Sequence, residues 1–162
     1  MTRTQPDPTD LRAWYDLRVR LADDDHYGHV NNAVYYEYFD SAINGWLIEN
    51  LDGVRVRDLP ALGVVVSSSC QFLRELHFPD RLRVGIAVAR VGRSSVTYRP
   101  AIFLFGDGGA LTLCAHGEFV HVYVDPQTRR PVPVPEAVRA LVAPLAEAGV
   151  EQLAESGAEK FT

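Results

Sequence analysis

The sequence has no long hydrophobic run, little cysteine and no excess of positive charge. No apolar stretch approaches the roughly 18 residues of a membrane span, and residues 1–10 contain no apolar segment of the kind found in secretory signals. A formal net charge of −5 argues against a surface for nucleic acid. The two cysteines, Cys70 and Cys114, lie in apolar stretches and are predicted to be reduced thiols. Together these absences predict a cytoplasmic protein that binds neither membrane nor nucleic acid.

Several common catalytic motifs are also missing. The sequence has no G-x-S-x-G nucleophile elbow and no glycine-rich phosphate loop. His116 and His121 are five residues apart on a predicted strand, so their side chains should point to opposite faces of the sheet. No spacing of ligand residues suggests a three-ligand zinc site. We therefore expect neither a metal nor a cofactor.

The composition is that of one compact domain. The chain has 162 residues, of which 47% are hydrophobic and 23% charged, which supplies enough apolar side chains for a single core. Residues 1–10 are polar and contain two prolines, which favours a flexible leader. Residues 147–162 have only a weak pattern and are predicted to form a tail. The domain should therefore span residues 11–146.

One long segment has helical spacing, and five others alternate like strands. Apolar residues recur three or four positions apart between Ala33 and Asn50, which predicts a helix capped by Asn31 or Asn32 and ended near Gly53. The alternating segments predict strands at 14–21, 61–73, 82–91, 94–105 and 110–124. A short helix is expected at 136–145. This order predicts an α+β fold in which the long helix lies across the concave face of a curled antiparallel sheet.

The residues with the clearest chemical meaning stand just before the long helix, in the run Asp23-Asp24-Asp25-His26-Tyr27-Gly28-His29-Val30-Asn31-Asn32. A helix N-terminus presents unpaired N–H groups and a partial positive charge, and Gly28 lets the backbone approach a ligand closely. Asp25 can reach the same point in space, so the run combines a carboxylate with an oxyanion site. Mutual repulsion should raise the pKa of whichever aspartate is most buried.

This run resembles the active-site loop of hotdog-fold thioesterases of the 4-hydroxybenzoyl-CoA thioesterase type, whose pattern is roughly D-x-D-x-x-G-x-V before a central helix. The His-Val-Asn-Asn variant, followed by Tyr36, is similar to bacterial acyl-CoA thioester hydrolases and plant acyl-ACP thioesterases. Further matches, which extend the resemblance to about residues 14–145, are Arg74, Phe78-Pro79-Asp80, Gly92-Arg93-Ser94-Ser95 and Val122-Tyr123-Val124-Asp125. The resemblance implies the hotdog fold, in which a curled five-stranded antiparallel sheet wraps a long central helix.

The resemblance also implies roles for particular residues. Asp25 matches the catalytic aspartate, which attacks the thioester carbonyl or activates water, and His29 matches a histidine that polarises the carbonyl or acts as a base. Backbone N–H groups around Val30 to Asn32 would hold the carbonyl oxygen. The predicted catalytic residues are therefore Asp25, His29 and Asn32. The predicted substrate contacts are Gly28, Val30, Asn31, Tyr35, Arg74 and Arg93, with the two arginines for the phosphates of CoA.

Several of these residues also have a simple structural interpretation. Asp23 is expected mainly to brace the loop, and Asn31 and Asn32 are first of all helix caps. Tyr35 lies on the apolar stripe of the helix and is mainly a core residue that could also touch substrate. Small residues on the third predicted strand suggest space beside the sheet, at Gly85, Ala87 and Ala89.

The function that the resemblance implies is hydrolysis of an acyl-CoA thioester to a free carboxylic acid and CoA. Two alternatives remain open, namely an acyl-ACP thioesterase and a hotdog acyl-CoA-binding sensor without hydrolysis. Exposed sheet edges predict a homodimer formed by edge pairing, and the family commonly pairs dimers into tetramers. Neither the chain length nor the aromatic or aliphatic character of the acyl group follows from the sequence.

Overall fold

The computed structural model describes residues 5–146. Residues 1–4 of the predicted leader and the whole predicted tail, residues 147–162, lie outside this part of the chain. None of the helices within residues 5–146 has the length and hydrophobicity needed to cross a membrane. The strands and α-helices, in chain order, are β1 Ala13–Arg18, α1 Asn32–Asn50, β2 Leu62–Phe72, β3 Arg81–Val91, β4 Ser95–Phe105, β5 Leu111–Val124 and α2 Glu136–Val142.

The five strands form one antiparallel sheet in the order β1-β3-β4-β5-β2. β3, β4 and β5 follow one another as a meander, so β1 and β2 are the two edges. α1 leaves β1 and returns the chain to the opposite edge, and its buried side chains join those of the sheet in one core. This arrangement confirms the predicted α+β hotdog fold with its central helix and curled five-stranded sheet.

α1 begins where its cap was predicted. The Oδ1 atom of Asn31 accepts a hydrogen bond from the N–H of Ala33 at 2.9 Å, which satisfies one donor of the first turn. The helix ends at Asn50, because the next residue caps it through its backbone, and Gly53 lies two residues further on with a φ of 77°. Gly53 therefore shapes the following turn instead of ending the helix. The buried stripe of α1 consists of Tyr35, Tyr38, Phe39, Ala42, Ile43 and Leu47.

The face of the sheet opposite α1 carries a second, smaller apolar cluster. Leu11 is buried there, and the ring of Trp14 packs against Phe103 with 5.7 Å between centroids. A side chain at Gly85 would collide with Leu11 and Trp14. The space that the sequence suggested beside Gly85 is therefore filled by the protein itself.

The two ends of the sheet carry different loops. At the loop end, β1 and β2 finish, α1 begins, and the N–H of Val19 donates to the carbonyl of Asp80 at 3.0 Å. At the far end, the turn between β3 and β4 meets the α2 region, where Arg139 donates to the carbonyl of Gly92 at 2.7 Å. β3 has 11 residues and joins the two ends. At about 3.3 Å per residue the ends lie about 33 Å apart, so side chains of one end do not reach the other.

Candidate active site

Residues 23–31 form a closed loop at the loop end of the sheet. The backbone of Asp25 donates to the carbonyl of His29 at 3.0 Å, and the N–H of Gly28 donates to the carbonyl of Asp25 at 3.1 Å. Gly28 has a φ of 86°, a conformation that a side chain would strain. An isolated antiparallel bridge between Asp24 and Val30 closes the base of the loop. The predicted candidates from Asp25 to Asn32 are thus held in one small turn before α1.

The most buried aspartate is Asp23, with a side chain that is 2% exposed. Its carboxylate accepts hydrogen bonds from the hydroxyl of Tyr38 at 2.6 Å and from the backbone and Nε of Arg20 at 2.8 and 2.9 Å. Burial alone would raise the pKa of Asp23, but these donors and the charge of Arg20 outweigh it and lower the pKa. The expectation that crowding raises the pKa of the most buried aspartate is therefore wrong. Asp23 braces the loop as an ionised group.

Asp25 stands at the turn of the loop and is half-buried. One carboxylate oxygen, Oδ1, accepts a hydrogen bond from the N–H of Tyr27 at 2.8 Å, which fixes the side chain against its own backbone. The second oxygen has no hydrogen-bond partner among residues 5–146. Asp25 therefore offers one oriented, unpaired carboxylate oxygen at the tip of the loop.

The start of α1 supplies fewer free donors than the sequence predicted. The N–H of Val30 donates to the carbonyl of Leu76 at 2.8 Å, and that of Asn31 donates to the carbonyl of Asp23 at 2.9 Å. Both groups are therefore occupied in holding the loop. The N–H of Asn32 has no acceptor in the part of the chain that the structure describes. The predicted oxyanion site is consequently narrowed to the N–H of Asn32, at the electropositive tip of the helix.

The imidazole ring of His29 is oriented by neighbours other than the carboxylate of Asp25. Its Nε2 lies 3.9 Å from a carboxylate oxygen of Glu75, and its Nδ1 lies 3.3 Å from the carbonyl oxygen of Val30. Its ring is nearly parallel to that of Tyr27, with 6.3 Å between centroids. The two residues are joined through their backbones, but among residues 5–146 no hydrogen bond links the imidazole of His29 to the carboxylate of Asp25.

A segment after β2 clamps the loop, and sequence reasoning missed its function. Nδ1 of His77 lies 2.8 Å from the carbonyl oxygen of Gly28, and because a carbonyl only accepts, His77 donates. The N–H of Phe78 is 3.3 Å from both carboxylate oxygens of Asp24. In the sequence these partners are about fifty positions apart, and the signal that pointed to the segment was the resemblance at Phe78 to Asp80 alone. The loop is therefore held by long-range contacts from residues 76–80.

Replacing His77 by Leu should destabilise the fold modestly and loosen the loop. The change removes the donor to the carbonyl of Gly28, a partly exposed hydrogen bond with an expected net value of about 1 kcal/mol. Urea unfolding measures this loss, and amide exchange at Gly28 and His29 should become faster. His26→Leu is the matched control, because His26 stacks on Tyr27 and makes no hydrogen bond among the described residues. Equal amide exchange in both variants would contradict the clamp.

Tyr35 and Arg74 are linked at the edge of the site. Tyr35 is buried, its hydroxyl donates to the carbonyl of Arg74 at 3.3 Å, and its ring packs edge-on against Phe72 at 5.1 Å. Burial, with a smaller effect of Cys114, raises the pKa of Tyr35 to about 12. Tyr35 is thus a neutral core residue that positions the backbone of Arg74. The side chain of Arg74 is exposed beside the loop.

Arg93 is not brought together with the other candidates within one chain. It lies in the turn between β3 and β4 at the far end, where its carbonyl accepts from the N–H of Val134 at 2.9 Å. The length of β3 separates it from the loop by about 33 Å. Within residues 5–146 the structure also contains no group of three or more His, Cys, Asp or Glu side chains that could hold a metal ion.

Comparison with known proteins agrees with the fold. The model of the Thioesterase-like superfamily matches residues 19–142. The PA5185 protein from Pseudomonas aeruginosa strain PAO1 is 41% identical, with a TM-score of 0.79 over 86% of this chain and 95% of that one. The PA2801 protein from Pseudomonas aeruginosa is 29% identical, with a TM-score of 0.71 over 81% and 98% of the two chains. A mutant of 4-hydroxybenzoyl-CoA thioesterase complexed with 4-hydroxybenzoyl-CoA shares the fold, at 20% identity and a TM-score of 0.69 over 79% and 96%.

Proposed function

Because the chain belongs to the thioesterase-like superfamily, we propose that it hydrolyses an acyl-CoA thioester to a free carboxylic acid and CoA. One observation carries the proposal: the closed loop presents a carboxylate oxygen of Asp25, and the adjoining first residue of α1 presents the N–H of Asn32, and neither group has a hydrogen-bond partner among residues 5–146. A thioester carbonyl needs both partners, a group that delivers an oxygen to its carbon and a donor for its oxygen. A related solved structure contains 4-hydroxybenzoyl-CoA, which supports a CoA thioester as the substrate class.

In the proposed reaction the thioester oxygen accepts a hydrogen bond from the N–H of Asn32. The dipole of α1 favours the negative charge that develops there. Asp25 then acts in one of two ways. As a base it takes a proton from water, the water oxygen attacks the carbonyl carbon, the C–S bond breaks, and the CoA thiolate regains a proton. As a nucleophile it forms an acyl-enzyme anhydride with release of CoA, and water hydrolyses the anhydride. Neither route requires a cofactor.

The remaining candidates have supporting roles in the proposal. His29, whose ring lies near Glu75, would polarise the thioester or assist water. Gly28 allows the substrate to approach the backbone, and the backbones of Val30 and Asn31 shape the entrance while their N–H groups hold the loop. Arg74 is an exposed cation beside the site and would contact a phosphate of CoA.

We also propose a homodimer formed through β2. This strand is an edge of 11 residues, and Val65 and Val66 are 45% and 58% exposed on it. Antiparallel pairing with β2 of a second copy would extend the sheet. It would also carry the far end of the second copy, with its Arg93, toward the loop end of the first, and so offer a second cation for the nucleotide. By the family resemblance, two such dimers would form a tetramer.

Val66→Lys should weaken this dimer at least about tenfold, because a charge on an edge strand opposes pairing. Light scattering coupled to size-exclusion chromatography over a range of concentrations measures the shift toward monomer. Val54→Lys is the control, since Val54 is 42% exposed in the turn after α1 and away from β2. Identical association of the two variants and the parent would contradict pairing through β2.

A panel of acyl-CoA and acyl-ACP substrates tests the proposed function. Release of free thiol from acyl-CoA, with less from acyl-ACP of the same acyl group, is the expected result. Preference for the carrier protein would instead assign the acyl-ACP reaction. Tight binding of acyl-CoA without thiol release across chain lengths would replace hydrolysis by a binding function.

We place the protein in the cytoplasm as part of the same proposal. Cys70 and Cys114 are both free thiols, and Cys114 is buried. Burial raises the pKa of the Cys70 thiol to about 12, so it stays protonated and unreactive at neutral pH. Free, unreactive thiols are typical of a reducing compartment.

A further inference from the structure

One ridge of α1 connects the candidate active site with a small cavity near the far end. Asn32, Tyr36, Asp40 and Asn44 follow one another at intervals of four residues, and such residues form a continuous ridge on a helix. From Asn32 to Asn44 this ridge covers about 18 Å at a rise of about 1.5 Å per residue. Core-facing side chains of β5 lie along it, and the ring of Phe119 is 6.3 Å from that of Tyr36.

The cavity at the end of this ridge has a volume of about 30 Å³. It is large enough for one or two water-sized groups. Most of its walls are apolar, but the side chains of Asn44, His121 and Tyr123 add hydrogen-bonding groups. The lining residues are Asn44, Leu47, Leu51, Val56, Leu59, Gly63, His121, Tyr123 and Val138.

His121 is the unusual member of this lining. It is 3% exposed, and its Nε2 is buried without a hydrogen-bond partner among the described residues. Burial lowers the pKa of His121, although the carboxylate of Asp40 opposes this, so the ring is neutral near pH 7. A buried polar atom without a partner calls for a ligand or ordered water that completes it.

Asn44 supplies a complementary group on the other wall. Its Nδ2 donates to the backbone carbonyl of Asp40 at 2.9 Å and lies 3.2 Å from the carboxylate of the same residue. The amide oxygen of Asn44 has no donor among residues 5–146. The cavity therefore offers an acceptor at Asn44 and an unpaired ring nitrogen at His121, the pattern that a hydroxyl group can satisfy.

We propose that this cavity recognises a neutral polar group, a hydroxyl in particular, at the distal end of the acyl chain of the substrate. The inference rests on the proposed function, since the acyl chain can run along the ridge to the cavity only if the thioester lies at Asn32. The ridge carries the ring of Tyr36 beside Phe119 and ends at the hydrogen-bonding groups of Asn44 and His121, which suits a hydrocarbon chain with a polar end. The side chain of Asp40, between them, is exposed to solvent. The negative charge of Asp40 beside His121 disfavours a terminal carboxylate.

The test compares myristoyl-CoA with ω-hydroxymyristoyl-CoA, whose extended acyl chain is comparable in length with the ridge. The parent enzyme should have the higher kcat/KM for the hydroxylated substrate. His121→Phe keeps a ring in the cavity but removes the ring nitrogen. It should reduce the ratio of kcat/KM for ω-hydroxymyristoyl-CoA to kcat/KM for myristoyl-CoA at least about tenfold, because the hydroxyl of the substrate then has no hydrogen-bond partner at residue 121. Activity toward myristoyl-CoA should change little. Asn44→Leu gives an independent variant if His121→Phe does not fold.

A binding measurement separates this inference from the proposed function. Calorimetric titration with ω-hydroxymyristate and with myristate needs no turnover, and the parent should bind the hydroxylated acid more tightly while His121→Phe does not. Equal affinities and equal kcat/KM values in the parent would show that the cavity holds ordered water only, which overturns the inference. Selective binding of the hydroxylated acid without hydrolysis of any acyl-CoA would keep this inference and remove the proposed function.

Discussion

Asp25→Asn should lower acyl-CoA turnover at least about a hundredfold, in line with the loss of a catalytic base or nucleophile. The substitution keeps the size of the side chain, and the amide oxygen can still accept the hydrogen bond from Tyr27 that orients it. The free energy of unfolding should therefore stay close to that of the parent. What the variant loses is the negative charge on the carboxylate oxygen, which in the proposed reaction attacks the carbonyl carbon or deprotonates water. Thiol release under saturating acyl-CoA measures kcat, and urea unfolding checks the fold.

Asp24→Asn is the matched control for this experiment. It makes the same change of charge one residue away, where the carboxylate faces the N–H of Phe78 instead of the open side of the loop. Its effect on kcat should be much smaller than that of Asp25→Asn. If Asp25→Asn keeps the parental rate, or if both variants lose activity equally, the assignment of Asp25 does not survive. A folded Asp25 variant with unaltered acyl-CoA affinity would place the loss in the chemical step.

Most of the fold could be predicted because it depends on local patterns. Alternation identified all five strands to within a few residues, and the spacing of apolar side chains gave α1. The cap at Asn31 could also be predicted from the sequence, because it is a hydrogen bond between residues two positions apart. Gly53 was expected to end α1, but the backbone of Leu51 caps the helix first. Which residue ends a helix depends on how the chain continues after it, and the local pattern does not show that.

The site was predicted less completely because its geometry depends on contacts between distant segments. The run before α1 folds into one loop, but nothing local in the sequence indicates that Leu76 and His77 hold it. The contact with Leu76 occupies the N–H of Val30 and that with Asp23 occupies the N–H of Asn31, so among the described residues the N–H of Asn32 remains as the donor for an oxyanion. Likewise, Arg93 matches the family pattern in sequence, yet β3 carries it to the far end. Its part in the site thus depends on a second copy of the chain.

The pKa of Asp23 is the clearest example of a property that could not be predicted from neighbouring residues in the sequence. Among three adjacent aspartates, repulsion was expected to dominate, but Arg20 and Tyr38 direct three donors to the carboxylate that is buried. The charge of this group is therefore an element of stability. Asp23 connects the loop to α1 through Tyr38 and to the chain before the loop through Arg20, so it helps to hold the loop that carries Asp25.

Asp23→Asn should destabilise the protein by roughly 2 to 3 kcal/mol at neutral pH, because it weakens charge-assisted hydrogen bonds at a side chain that is 2% exposed. This loss of stability is smaller than that expected for breaking a fully buried ion pair, because the side chain of Arg20 is 60% exposed. Urea unfolding gives the difference. Asp16→Asn is the control, because the ion pair of Asp16 with Arg83 lies on the surface, with Asp16 74% exposed, and should contribute less than about 1 kcal/mol.

The difference between the parent and Asp23→Asn should also depend on pH in a defined direction. The pKa of Asp23 is lower in the folded chain than the value near 3.8 expected when unfolded, so the unfolded state binds its proton first as the pH falls. The stabilisation by Asp23 is therefore complete above about pH 5 and disappears as the pH drops through the folded pKa. The two unfolding free energies should converge below that point. A gap between the parent and Asp23→Asn that stays constant from neutral to acidic pH would mean that the lost contribution is packing and not charge.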